Sequence, residues 1–168
     1  SHGHDTSHDE RTGLHNWHWL ESMLPRQVAR SSAHQAPLGL LLIEIDGFAN
    51  YVARTGPAAG DQVCYAVARL LVNNFPPTDM VVSYDAGQFA VVLPDTDAAS
   101  ACVAGERARL AVSRAGVAIL GESASLSLTL SVGVTELQPS TDASVFLAAA
   151  EAALQMAKNS GGNRVGMQ

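Results

Sequence analysis

A chain of 168 residues, 47% of them hydrophobic, is about one domain long at roughly 150 residues per domain and carries enough apolar material for a core. Its formal charge of −6, with Lys158 the only lysine and the arginines scattered, excludes the basic stripe that nonspecific nucleic-acid binding requires. No apolar run approaches the ~20 residues of a membrane span and none reads as a signal peptide, so a cytoplasmic chain is expected, with no membrane span and no nucleic-acid partner.

The N-terminus is polar and histidine-rich, and Ser1-His2-Gly3-His4 reads as a cloning remnant or frayed tail. Residues 1–8 are therefore set apart from a single domain over residues 9–168. His2, His4, His8, His15 and His18 do not have the spacing that promises four convergent zinc ligands. Residues 16–31 have helical spacing, with Trp19, Leu20, Met23 and Leu24 on one side, and Pro25 is expected to kink or divide the helix. Residues 38–45 are almost continuously apolar, as in a central strand covered on both faces. Glu44 is the exception, and near the strand's end its carboxylate is expected at the rim of the sheet, where sites collect.

Val63, Val67, Leu70 and Leu71 mark a helix over about residues 58–73 that Pro76-Pro77 cannot continue. Met80–Ser83 and Phe89–Leu93 are expected as hairpin arms, joined through Asp85-Ala86-Gly87, with Gly87 free to take positive φ. A helix follows from Asp95 to about Ala115, with Asp95, Thr96 and Asp97 as candidate N-caps. Leu126, Leu128, Leu130, Val132 and Val134 alternate with small residues, so residues 126–134 are expected as a strand with one buried face. A helix over residues 142–158, capped by Ser140, Thr141 or Asp142 and stopped by Gly161-Gly162, precedes a short strand at Val165. Cys64 and Cys102 fall on apolar helix positions without metal-ligand spacing and read as free thiols. The pattern suits an α+β fold with helices packed on a mostly antiparallel sheet.

Several of these stretches together resemble the GGDEF family, the diguanylate cyclases that join two GTP molecules into cyclic di-GMP. Asp9 to Asn16 resembles the family's D-x-L-T-G-L-x-N, and Leu40 to Phe48 its L-L-x-x-D-I-D-x-F strand. Gly60-Asp61, Leu130 to Val134 and Ala157 to Asn163 resemble its G-D, S-I-G-V and A-K-x-x-G-R-N motifs. The resemblance implies a nucleotide cyclase-like βααββαβ fold. It also exposes a degenerate signature, because Asp85-Ala86-Gly87-Gln88-Phe89 stands where the family carries Gly-Gly-Asp/Glu-Glu-Phe.

In the family, carboxylates from the first strand and from the signature turn hold Mg²⁺ for phosphoryl transfer. The resemblance places Glu44 at the strand position as a residual metal ligand and Gly87, without a side chain, at the turn position. Asp61, Lys158 and Phe48 are the nucleotide-binding candidates it leaves, whereas Val52 replaces the guanine-reading asparagine, Ala49 a lysine and Gly162 an arginine. Asp61 is equally readable as the cap of the helix that starts there, and Asp46 as support for the turn after the strand. The product-inhibition motif R-x-x-D keeps Asp79 but has Pro76 at its arginine, so Arg107 and Arg109 on the next helix are the candidate cyclic di-GMP contacts. Three readings are open at this point. One is a catalytically inactive module that binds or regulates in cyclic di-GMP signalling, with GTP, cyclic di-GMP, a second copy or a phosphodiesterase domain as partner. The others are a dedicated cyclic di-GMP receptor and a weak cyclase. Mg²⁺ is expected only where GTP still binds.

Overall fold

The computed structural model describes residues 6–167. Its main sheet has the strand order β2-β3-β1-β6-β7, built from β1 (Leu38–Ile45), β2 (Met80–Asp85), β3 (Gln88–Pro94), β6 (Leu130–Glu136) and β7 (Arg164–Met167). All neighbours are antiparallel except β6 and β7. A small second sheet pairs β4 (Gly116–Val117) with β5 (Leu126–Ser127). The helices are α1 (Trp17–His34), α2 (Phe48–Thr55), α3 (Pro57–Asn74), α4 (Ala98–Arg114) and α5 (Ala143–Asn159). This is the expected α+β, cyclase-like arrangement.

The unbroken apolar run of β1 follows from its central place. Leu41, Ile43 and Ile45 face a core shared with Val63, Val67 and Leu71 of α3 and Ala104, Ala108 and Val112 of α4. Leu38, Leu40 and Leu42 face the opposite core, with Leu20 and Leu24 of α1 and Phe146, Ala150 and Leu154 of α5. Alternate residues of one strand thus serve two cores.

The structure refines the residue reading at four places. Pro25 lies inside α1 without dividing it; it removes the N–H partner of the Glu21 carbonyl, and both residues are on the exposed face of the helix. The expected strand 126–134 is two strands, β5 and β6, separated where the Thr129 carbonyl accepts from Asp46 N–H at 3.0 Å and the Thr129 hydroxyl donates to the Asp46 carboxylate at 2.7 Å. Nor is one face of β6 open, because its small residues let α5 press against the backbone: a Cβ at Gly133 would lie 2.2 Å from the Leu154 nitrogen. Finally, Phe48–Thr55 forms a helix that residue spacing did not reveal, although the family resemblance implied one.

The folded part also begins ahead of Asp9. His2 and His4 lie outside the described residues, but Thr6 and His8 offer carbonyls to the Asn16 carboxamide, and His8 bridges His15. His15 in turn bridges Val82, so the segment before α1 lies along β2. Cys64 is buried, Cys102 half-buried, and both are free.

Candidate functional site

The end of β1 and the tip of the β2–β3 hairpin meet at one rim of the sheet. Antiparallel register sets Glu44 opposite Gln88, and Ile45 N–H donates to the Gly87 carbonyl at 2.9 Å. Ala86 and Gly87 form the two-residue turn, with Gly87 at φ 70°, the positive φ that glycine was expected to be free to take. The Asp85 carboxylate folds back to accept from Ala86 N–H at 2.7 Å.

Phe48 decides what the tip can carry. After Gly47, which has φ 70°, the chain enters α2 with the Phe48 ring against Gly87, where a Cβ would stand 2.5 Å from ring carbons and 2.9 Å from the Phe48 Cβ. Position 87 in this conformation therefore has no room for any side chain, a carboxylate included.

Glu44 is paired within the chain. Gln88 Nε2 donates to its Oε1 at 2.8 Å, and Lys158 Nζ lies 3.2 Å from Oε1 and 3.0 Å from Oε2. Glu44 and Lys158, with Phe48, Ala49, Val52 and Ala86, line a cavity of about 420 Å³. Its walls are largely apolar, and its charged floor is internally neutralised.

Asp46 supports the local structure, as expected. It accepts from the Thr129 hydroxyl at 2.7 Å, the Ser131 hydroxyl at 2.6 Å and Asn163 N–H at 2.9 Å, tying the end of β1 to β6 and to the loop before β7. Asp61, in contrast, caps nothing: α3 begins at Pro57 with Gly56 as its cap, and Asp61 lies a turn inside. It is exposed, does not line the cavity with Lys158 and Phe48, and has Arg11 Nη1 4.0 Å from its carboxylate.

Arg11 was not singled out by residue reasoning. Its backbone N–H and Nε reach Asp9 Oδ1 at 2.9 and 3.1 Å, while the Ser83 hydroxyl donates to Asp9 Oδ2 at 2.6 Å. Burial alone would raise the Asp9 carboxyl, but these bonds from Ser83 and Arg11 outweigh it and hold the group below its ordinary value. The Arg11 guanidinium is raised in return, chiefly by its bond to Asp9. The available signal was a charged residue at the leucine of the D-x-L-T-G-L pattern. Beneath the tip, burial pushes the Cys64 thiol up, against the backbone of Gly87.

The candidate cyclic di-GMP residues divide into two groups. Burial raises the Asp79 carboxyl, and the Arg107 guanidinium partly opposes it, so these two share a field. Arg107 is exposed, donates through Nε and Nη2 to the Asn74 carbonyl at 3.1 and 2.9 Å, and sits 5.5 Å from the centre of the Phe75 ring. Arg109 is held elsewhere, on Glu106 at 2.6 Å and on Asn163 at 2.8 Å.

The donor set at Glu44 does not suit the Mg²⁺ that the resemblance implies. Magnesium needs near-octahedral oxygen ligands at about 2.0–2.1 Å, yet the two groups bonded to Glu44 are both nitrogen donors. Among the described residues no cluster of three or more His, Cys, Asp or Glu side chains could hold a metal.

The family described as "Diguanylate cyclase, GGDEF domain" matches residues 6–164. The chain belongs to the GGDEF family. Its GGDEF domain is 32% identical over 158 residues to the response regulator PleD of Caulobacter vibrioides, which takes in 94% of this chain and 35% of that protein. The chain thus spans about a third of the length of that relative. Among solved structures it is similar to the GGDEF domain of DgcB from Caulobacter crescentus in complex with c-di-GMP, with a TM-score of 0.93, 26% identity and coverage of 99% of this chain and 98% of that one. It is also similar to the diguanylate cyclase SiaD of Pseudomonas aeruginosa in complex with its activator SiaC, with a TM-score of 0.90 and 30% identity over 96% of this chain and 61% of that one.

Proposed function

We propose that this GGDEF domain has lost cyclase chemistry and serves as a binding or regulatory module in cyclic di-GMP signalling. The observation that carries the reading is the hairpin tip, where Gly87 supplies no ligand, the Phe48 ring fills the space a side chain would need, and Gln88 meets Glu44 with a carboxamide. Val52 in the cavity wall cannot pair with a guanine edge, which leaves the base's polar groups unsatisfied. Cytoplasmic placement, self-association and a phosphodiesterase partner belong to the same proposal. Binding of a protein partner draws support from the activator bound to SiaD. The test is incubation with GTP and Mg²⁺ or Mn²⁺: the domain leaves GTP intact, and formation of cyclic di-GMP above background would establish the weak-cyclase alternative instead.

A second reading, a cyclic di-GMP receptor, is favoured by the Arg107 guanidinium, exposed beside the Phe75 ring and within the field of Asp79. A purine can stack on such a guanidinium, and its phosphate can be gripped by it. Calorimetry with cyclic di-GMP is expected to show heat that Arg107→Ala abolishes and Arg109→Ala retains. No heat from the wild type at high ligand concentration rejects this receptor.

A further inference from the structure

Acidic side chains crowd this rim of the sheet, and each of the following is satisfied or countered from within the chain. Asp46 accepts from two hydroxyls and a backbone N–H. Asp85 accepts from its own turn, Asp9 from Arg11 and Ser83, and Asp61 faces Arg11. Glu44 holds the Lys158 ammonium across both oxygens, with the Gln88 carboxamide as a further donor to Oε1.

An ammonium is a compact cation with three donors and nitrogen–oxygen contacts near 3 Å. That is the geometry found here, with Lys158 anchored near the C-terminal end of α5 and Gln88 fixed by strand register opposite Glu44. A divalent cation would have to expel the ammonium, turn the Gln88 nitrogen away, and then find further oxygen ligands in a cavity otherwise walled by Phe48, Ala49, Val52 and Ala86.

We propose that Glu44, held by Lys158 and Gln88 and with no second carboxylate beside it, takes no divalent cation, so that the site is metal-independent and any ligand it takes binds as an uncomplexed molecule. The proposal rests on the inactive-cleft reading and deepens it. Lys158 holds Glu44 in a neutral pair, and Gln88 fixes the carboxylate without adding charge.

Mn²⁺ binding, followed by the loss of its free electron paramagnetic resonance signal, tests this without reference to activity. The wild type is expected to bind no Mn²⁺ at millimolar concentration. Substitution of both residues, Lys158→Met with Gln88→Glu, removes the internal cation and adds a second carboxylate, and is expected to create one site at least about tenfold tighter than any residual wild-type binding. Wild-type Mn²⁺ binding that Glu44→Gln abolishes would overturn the proposal, as would a double variant with wild-type circular dichroism and melting that gains no site. A wild type that binds Mn²⁺ and still leaves GTP intact would sink this inference alone and leave the inactive-module reading standing.

Discussion

Replacing Gly87 by alanine puts a single methyl group at the tip of the hairpin, and two costs follow. At φ 70° an L-residue pays roughly 1–2 kcal/mol for left-handed backbone. The new Cβ also stands 2.5 Å from two Phe48 ring carbons and 2.9 Å from the Phe48 Cβ, an overpacking of the kind that costs about 1–3 kcal/mol. Together these predict a loss of about 2–5 kcal/mol, a large part of the roughly 5–15 kcal/mol that holds an ordinary domain. Urea unfolding read by tryptophan fluorescence and far-UV circular dichroism measures it. Repeating the substitution in a Phe48→Ala background removes the ring but keeps the backbone strain, so the penalty should shrink by at least about 1 kcal/mol. The reasoning fails if Gly87→Ala costs less than about 0.5 kcal/mol, or if its cost is the same with and without the ring.

Other substitutions probe the supports of the rim. Asp46→Ala leaves two hydroxyls and the Asn163 N–H without their acceptor and should cost about 2–4 kcal/mol by urea denaturation, whereas a merely solvated carboxylate would cost almost nothing. Ser83→Ala removes the hydroxyl bond to Asp9 and should cost about 1–2 kcal/mol at neutral pH. Because Asp9 titrates below its ordinary value of 3.8 when folded, its contribution is complete above that pH and is lost as pH falls through the lowered value. The difference between wild type and Ser83→Ala should therefore narrow in acid, and a gap independent of pH would contradict the pairing. Gly133→Ala drives a methyl into the α5 backbone at 2.2 Å and should cost at least about 3 kcal/mol, seen as a lower urea midpoint or loss of the folded protein.

Much of the fold was legible because periodicity reports burial. The continuous apolar run of β1 announced a strand with both faces covered, and among the three candidate caps offered for each of two helices Asp97 and Asp142 are the ones used. The same rule misread β6, where Ser131 and Gly133 mimic a polar outer face although they are small residues admitting α5. Helix α2 was hidden because its eight residues include no fully buried side chain. Pro57, at the first helical position, was the signal that α3 starts ahead of Asp61 and that Asp61 cannot be its cap.

The site was legible in part. Asp85-Ala86-Gly87-Gln88 declared its own departure from the family signature, and Glu44 stood out as an acid closing an apolar strand. What joins Glu44 to Gln88 and Lys158 was not legible, since the partners are separated by 44 and 114 positions and meet only through strand register and the end of α5. Phe48 as the occupant of the space beside residue 87 is likewise a tertiary fact.

The central claim, that the rim cannot assemble a reactive metal–nucleotide complex, is tested most directly by pyrophosphate release with the domain and GTP at equal, high concentration, so that two GTP molecules can meet. Under these conditions even one slow bond formation per molecule is counted, in Mg²⁺ and in Mn²⁺. The account predicts release no faster than from GTP in buffer. A burst of pyrophosphate approaching the amount of GTP added, abolished by Glu44→Gln, would contradict it.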